Sequence, residues 1–225
     1  MNTAVEESAL ADREGWSGLM AQDRLLRDHL TAEDALVVCV GGNDIALRPS
    51  LGVIFNLGAL TFLTPRGLID NGYAPNLRYF THTFCNRIKS FVEKLCEAQK
   101  PRVVLLCWLY FLDETPGGSW CDGVLHTLGY DSDPGKVQEI IRHTFEEGVR
   151  KIQIPGTTTL HLPFYEVMDG KNTDDYVQRV EPSVQGGEKM AAAILKELNY
   201  LRPGYQPQGL APRPAAGKFA GAKVT

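Results

Sequence analysis

The sequence contains no apolar run long enough to cross a bilayer and no segment of the secretory type. Its longest apolar stretch, from Leu51 to Leu63, is interrupted by Asn56 and two glycines, whereas a membrane-spanning helix needs about 20 mostly apolar residues. The first residues, Met1 to Glu7, are acidic and include no apolar core, unlike a signal peptide. We therefore expect no membrane span, and we expect residues 51–63 to form a buried helix or an apolar lid over a pocket.

The chain also has no excess of basic over acidic residues. The chain has 23 Lys and Arg against 27 Asp and Glu, which gives a net charge of −4 at pH 7. Proteins that bind nucleic acids or anionic membranes usually carry clustered positive charge. The composition therefore argues against either partner.

The cysteines suggest neither a disulfide framework nor a zinc site, because their number is odd and no two share a C-x-x-C spacing. Cys39 and Cys107 lie inside apolar runs, where cysteine behaves as a small hydrophobic residue. These features favour a reducing, cytoplasmic location.

The sequence has no glycine-rich nucleotide-binding motif, and the adjacent carboxylates of Asp113 and Glu114 have no nearby histidine. We therefore expect neither a cofactor nor a metal.

The most informative stretch present is an apolar run that ends abruptly in Gly41-Gly42-Asn43-Asp44. A short, uniformly apolar run of this kind predicts a strand buried on both faces in a parallel sheet. Asn43 would then lie at the carboxyl edge, where open α/β sheets bind ligands, and its amide offers two donors suited to an oxyanion. A plain strand-to-loop turn explains the same four residues.

Hydrophobic periodicity predicts strands and helices in alternation along the chain. The predicted helices span about residues 21–30, 76–96, 134–150 and 184–198, and the predicted strands span residues 34–40, 102–108 and 156–162. This order predicts an α/β fold with a parallel sheet covered by helices on both faces. We divide the chain into an N-terminal segment with one short helix (residues 1–34), an α/β domain (residues 35–200) and a disordered tail rich in Pro, Gly and Ala (residues 201–225).

Two separated blocks resemble those of the SGNH (GDSL-type) hydrolases. The stretch Val40 to Asp44 is similar to the block that supplies the oxyanion-hole Asn of that family, and Glu181 to Ala191 is similar to its last block before the closing helix. The resemblance covers about residues 35–198. It implies a three-layer α/β/α fold with a flavodoxin-like parallel sheet. It also implies ester hydrolysis through a serine acyl-enzyme, with a His–Asp pair activating the serine.

The departures from the family pattern concern the catalytic groups themselves. The sequence has no Gly-Asp-Ser block, Glu181 occupies the position of the family's His, and Gln178 occupies that of its Asp. Of the family's site residues, only the oxyanion-hole Asn has a match, which is Asn43, and Gly41 and Gly42 form the turn that supports it. Ser17 comes close to a G-x-S-x-G elbow, but Leu19 replaces the second glycine and no strand precedes it.

The missing Gly-Asp-Ser strand has a structural consequence. In a flavodoxin-like strand order of 2-1-3-4-5 the first strand lies inside the sheet, so residues 35–40 would present an unpaired apolar edge. Proteins normally protect such edges. We therefore expect either that the chain is a shortened form of a longer protein, which we favour, or that the N-terminal segment, a partner or a second copy covers the edge.

Two residues remain as candidates for a general base. Glu181 would serve if burial raised its pKa, although an acidic residue that stabilises the N-terminus of the closing helix explains it equally well. His161, near the end of the third strand, would serve if it lies at the catalytic edge. A hydrogen-bonded structural histidine is the simpler interpretation.

Aromatic residues follow the second strand and suit a pocket for an acyl group or a sugar, although core packing explains them as well. These residues are Trp108, Tyr110, Phe111, Trp120 and Tyr130. The sequence as a whole predicts an SGNH-hydrolase-like protein, related to esterases and lipases, whose site is truncated or impaired. A non-catalytic binding or scaffold module that uses the same pocket and the sheet edge is the alternative.

Overall fold

The computed structural model describes residues 1–14, 18–46 and 48–199. Strands β1 (Ala35–Cys39), β2 (Val103–Trp108) and β3 (Thr158–Pro163) form a parallel sheet in the order β1-β2-β3. A short antiparallel pair joins β4 (Tyr176–Val177) to β5 (Glu181–Pro182). The predicted α/β class with a parallel sheet is confirmed. Ser17 and the predicted disordered tail lie outside the described residues.

Four of the eight α-helices of the described residues, those that begin at Ala21, Cys85, Pro134 and Val184, fall close to the predicted positions. The eight helices are α1 (Ala21–His29), α2 (Gly42–Ala46), α3 (Leu51–Gly58), α4 (Arg66–Asp70), α5 (Cys85–Leu95), α6 (Asp122–Thr127), α7 (Pro134–Glu147) and α8 (Val184–Asn199). The single helix predicted over residues 76–96 is divided, because a π-helical segment over Tyr79–Phe84 precedes α5. A second π-helical segment, Ala59–Leu63, continues α3.

Strand β2 is the centre of the core, and all six of its residues are buried. Its side chains alternate between two apolar clusters, as the period of a strand requires. Val104, Leu106 and Trp108 pack in the main cluster with residues of α5 and α7. Leu105 and Cys107 pack in another cluster, together with residues of β3 and α8. The central strand is therefore covered on both faces, as an apolar run in a parallel sheet should be.

Strand β1 differs from the prediction that both of its faces are buried. Leu36 and Val38 are buried, but Ala35, Val37 and Cys39 are exposed. The reason is its position at the edge of the sheet, because α8 packs against β3 and the facing side chains of β2. Within the described residues β1 pairs only with β2, so its other backbone edge is open.

The described residues of the N-terminal segment pack against the main core and α5, and none of them pairs with the open edge of β1. A 3-10 turn over Leu10–Arg13 places Leu10 in the main core, and α1 lies against α5. Arg13 and Asp23, both nearly inaccessible, form an ion pair at 2.9 Å that joins the turn to α1. The segment is thus an integral part of the fold at the carboxyl end of β1.

The apolar stretch from Leu51 to Leu63, expected to be a buried helix or an apolar lid, is helical and is buried on one side only. Val53 and Leu60 are completely inaccessible, whereas Leu51 and Leu63 expose 85% and 81% of their surfaces. One side of this helical stretch packs on a small separate core, and the opposite side, which is also apolar, faces solvent.

Candidate functional site

The turn that follows β1 depends on Gly41. Its φ of +108° lies in the region that favours glycine. A Cβ at this position would come within 3.0 Å of the Phe84 ring. The chain can therefore turn sharply over this aromatic ring, and α2 begins at once with Gly42. Asn43 consequently lies in the first turn after the carboxyl end of β1, as the sequence predicted.

Asn43 is half-buried and uses part of its hydrogen-bonding capacity within the protein. Its Nδ2 donates to the carbonyl oxygen of Ser8 at 3.0 Å. This is its only side-chain hydrogen bond among the described residues, so one amide hydrogen and Oδ1 remain available. The contact is what a turn-stabilising Asn would make, and the remaining hydrogen is what an oxyanion donor needs. The geometry is compatible with both roles.

Asp44, the neighbour of Asn43, is buried, and both oxygens of its carboxylate have partners within the protein. Its carboxylate accepts hydrogen bonds from the backbone N–H groups of Leu10 at 2.8 Å and Ala11 at 3.3 Å. It also forms an ion pair with Arg87 at 3.2 Å. These partners compensate a carboxylate that is 2% exposed. Asp44 therefore connects the N-terminal segment to the loop that carries Asn43.

Ser8 is a residue that the sequence did not single out. It lies 35 positions before Asn43 and follows no strand, so no local pattern signals the contact. Its Oγ donates to the carbonyl of Val5 at 2.8 Å and accepts a hydrogen bond from Arg13 at 3.2 Å. Neither partner is a base. A serine hydroxyl acts as a nucleophile only when a base can take its proton, so Ser8 is not activated in this arrangement.

Glu181 opens β5 and is exposed. Its Oε1 accepts a hydrogen bond from Nε1 of Trp120 at 3.4 Å. Burial raises the pKa of Tyr110, and the negative charge of Glu181 adds to this effect. Tyr110 in turn donates to the carbonyl of Val180 at 2.5 Å. Glu181 therefore follows directly on the residue that Tyr110 contacts.

The loop that carries Glu181 is held by Arg179. Gln178 and Arg179 both have positive φ angles, 51° and 66°, which is unfavourable for residues with a side chain. The Arg179 guanidinium is nearly inaccessible and forms ion pairs with Asp122 at 2.8 Å and Asp131 at 3.0 Å. The hydrogen bond from Arg179 holds the pKa of Asp122 below its usual value. These ion pairs stabilise the turn in its strained conformation.

His161 lies within β3, two positions before the strand ends at Pro163. Its Nε2 donates to the carbonyl of Ile152 at 2.9 Å. Burial lowers the pKa of His161, so the ring is neutral near pH 7. The hydrogen bond is to the backbone that follows α7, which is the arrangement expected of a structural histidine.

The aromatic residues at the end of β2 and after it mostly belong to the core. Trp108, Phe111 and Tyr130 are buried, and Nε1 of Trp108 donates to the carbonyl of Ile141. Trp120 is exposed beside Glu181, and Tyr110 is half-buried. Of the five aromatic residues named in the sequence, Tyr110 and Trp120 are therefore the ones placed to contact a ligand.

The predicted site residues fall into separate hydrogen-bonded groups. Asn43 is joined to Ser8, Glu181 to Trp120, and His161 to the backbone after α7. No hydrogen bond described in the structure links any two of Asn43, Glu181 and His161. The described residues also include no cluster of three or more His, Cys, Asp or Glu arranged to hold a metal.

Comparison of the chain with protein-family models, with curated proteins and with solved structures yields no match. The resemblance to SGNH hydrolases therefore rests on the two sequence blocks around Asn43 and after Glu181.

Proposed function

We propose that this chain is a divergent SGNH-hydrolase-like domain that binds the carbonyl oxygen of an acyl ligand at Asn43 without cleaving its ester bond. The proposed architecture is a three-layer α/β/α domain with a flavodoxin-like sheet. The single observation that carries the proposal is the position of Asn43. Asn43 lies in α2, just after the carboxyl end of β1, and one of its amide hydrogens has no partner among the described residues.

The strand order supports this assignment of the fold. Strands β1, β2 and β3 are parallel and adjacent in sequence order, as are the last three strands of a 2-1-3-4-5 sheet. Asn43 lies at the carboxyl end of β1, and Tyr110, Trp120 and Glu181 follow the carboxyl ends of β2 and β3. Ligands of open α/β sheets bind at this edge.

The absence of an activated serine beside Asn43, among the residues that the structure describes, supports binding without hydrolysis. A serine acyl-enzyme requires a serine, a base within hydrogen-bonding distance and a group that orients the base. Ser8 is the serine next to Asn43, and its hydroxyl contacts Val5 and Arg13. His161 is bonded to the backbone at Ile152, and Glu181 to Trp120. Among the described residues no second group orients either candidate base towards Ser8.

The test uses p-nitrophenyl acetate as both ligand and substrate. We expect the ester to shift the NMR signals of the Asn43 side-chain amide while those of Asn56 stay unchanged, because Asn56 donates to the carbonyl of Gly52 on α3. We also expect the protein to release p-nitrophenol no faster than a heat-treated sample does. A fluorophosphonate serine probe should not label it.

The control variants are Asn43→Ala and Ser8→Ala. The first should lose the ligand-induced shifts in the surrounding backbone, and the second should retain them. Turnover above the heat-treated control that Ser8→Ala abolishes would contradict the non-hydrolytic assignment. Unchanged Asn43 signals at saturating ester would contradict the binding site itself.

The second candidate function is a scaffold that associates through the edge of β1. The observation that favours it is the backbone edge of this strand with which no described residue pairs, together with the exposed side chains of Val37 and Cys39 on one face. An unprotected strand edge is a template for pairing with another chain.

A further inference from the structure

The exposed apolar side chains of the described residues are concentrated between residues 51 and 73. Leu51, Ile54, Phe55, Phe62 and Leu63 each expose more than half of their surface, and we call these five residues the apolar ridge. A patch of this kind on a folded protein usually marks a site of interaction.

The ridge is a continuous stripe because of the π-helical segment. Successive α-helical residues are about 100° apart, so Leu51, Ile54 and Phe55 share one side of α3. The wider π turn of residues 59–63 advances by only roughly 80° per residue, which keeps both Phe62 and Leu63 on that side. In a regular α-helix Leu63 would rotate away from the stripe. The irregular segment therefore aligns the exposed side chains.

The ridge is fixed firmly to the rest of the molecule. On the inner side of the same helix, Val53 and Leu60 are fully buried with Leu77, Phe80 and Ile140 in a separate small core. Nζ of Lys136 on α7 also donates to the carbonyl of Thr61 at 2.6 Å. The helix thus has apolar side chains on both sides, and only the inner ones are used by the fold. Folding alone does not explain the outer ones.

The ridge and its ends are electrically neutral. The chain from Pro49 to Pro65 contains no Asp, Glu, Lys, Arg or His. The flanking arginines are compensated, because Arg48 pairs with Asp12 at 2.6 Å and Arg66 pairs with Asp133 at 2.8 Å. A neutral surface on a protein of net charge −4 complements an uncharged or zwitterionic surface better than an anionic one.

We propose that the apolar ridge inserts into the interface of a zwitterionic lipid surface. Side chains that project from a rigid helix, two of them phenylalanines, suit shallow insertion at the boundary of headgroups and acyl chains. None of the described helices is long and apolar enough to cross a membrane, so the helix would lie in the plane of the interface. The inference is independent of the ligand proposed for Asn43.

The test is flotation of the full chain with phosphatidylcholine vesicles. We expect wild-type protein to float with the vesicles and the double variant Phe55→Asp/Phe62→Asp to bind at least tenfold more weakly, because two carboxylates would have to enter the apolar interface. The matched control is Val184→Asp/Leu195→Asp, which changes two similarly exposed apolar residues of α8. It should bind within twofold of wild type. Unchanged thermal unfolding would show that both variants are folded.

Four outcomes would overturn the proposal. The first is absence of wild-type binding to phosphatidylcholine vesicles, and the second is binding only to vesicles that contain phosphatidylserine, with loss in high salt. The third is an equal loss of binding in the two double variants. The fourth is self-association of wild-type protein without lipid that Phe55→Asp/Phe62→Asp abolishes, since the ridge would then contact a second copy.

Discussion

Strands β1 and β2 have similar sequences and different surroundings. Both are short apolar runs with a cysteine at or near the carboxyl end, and they pair in parallel with Val37 beside Leu105 and Cys39 beside Cys107. Every residue of β2 is buried, whereas only Leu36 and Val38 of β1 are. The burial of a strand is therefore decided by its neighbours, and its own residue types do not reveal which neighbours it has.

The difference lies on one face of the sheet. Paired residues of adjacent strands point to the same face, so Val37 and Cys39 share a face with Leu105 and Cys107. Helix α8 supplies Met190, Ile194 and other side chains that cover this face at β2 and β3. At β1 the same face is left to solvent among the described residues. This open part of the face, bordered by the open strand edge, is where the two strands should respond differently to substitution.

The largest expected difference is in stability. Leu105→Ala should lower the free energy of unfolding by about 2–5 kcal/mol, because it leaves a cavity at a completely buried position. Val37→Ala should lower it by less than about 1 kcal/mol, because Val37 is 38% exposed. Denaturant-induced unfolding measures both values. Equal losses at the two positions would indicate that Val37 is buried in solution, and hence that the face of β1 is covered.

The second difference is in thiol reactivity. The Cys39 residue is exposed, and desolvation of its thiol by neighbouring atoms raises the pKa to about 11. Its reaction with a thiol reagent should therefore accelerate about tenfold for each pH unit between pH 7 and 10. Cys107 is buried, and burial raises its pKa further. It should react at least about a hundredfold more slowly in the native protein.

The control for the thiol experiment is Cys39→Ser, which should remove the labelling of the native protein. All five cysteines of wild-type protein should react in denaturant. A rate that levels off above pH 9 would indicate an unperturbed thiol at Cys39, and rapid labelling of Cys39→Ser would show that a buried cysteine becomes accessible in the native state.

Much of the fold was predictable because it depends on local periodicity. Helix α7 and strand β2 lie within a few residues of their predicted bounds, since an amphipathic helix and an apolar run bounded by polar residues are local signals. The exposure of β1 and of the apolar ridge was not predictable. An apolar side chain looks the same in the sequence whether or not another element covers it.

In the candidate site, too, the features with a local sequence signal were predictable and those that depend on packing were not. Asn43 was placed correctly at the end of a strand, because an apolar run followed by two glycines is a local signal. The contact of Asn43 with Ser8 spans 35 positions, and the ion pairs of Arg179 with Asp122 and Asp131 span 57 and 48. Such contacts depend on how the elements pack, which periodicity does not encode.

The smallest expected difference is in association through the open edge of β1. Wild-type protein should show a weak rise of mass with concentration in light scattering, because β1 offers an apolar edge, without a charged side chain, that no described residue pairs with. Val37→Lys should remove this rise, since a lysine on an edge strand opposes pairing. Leu25→Lys, at an exposed position of α1, and Phe55→Asp/Phe62→Asp should leave it unchanged. A wild-type protein that stays monomeric at all concentrations would exclude a second copy as the partner of β1.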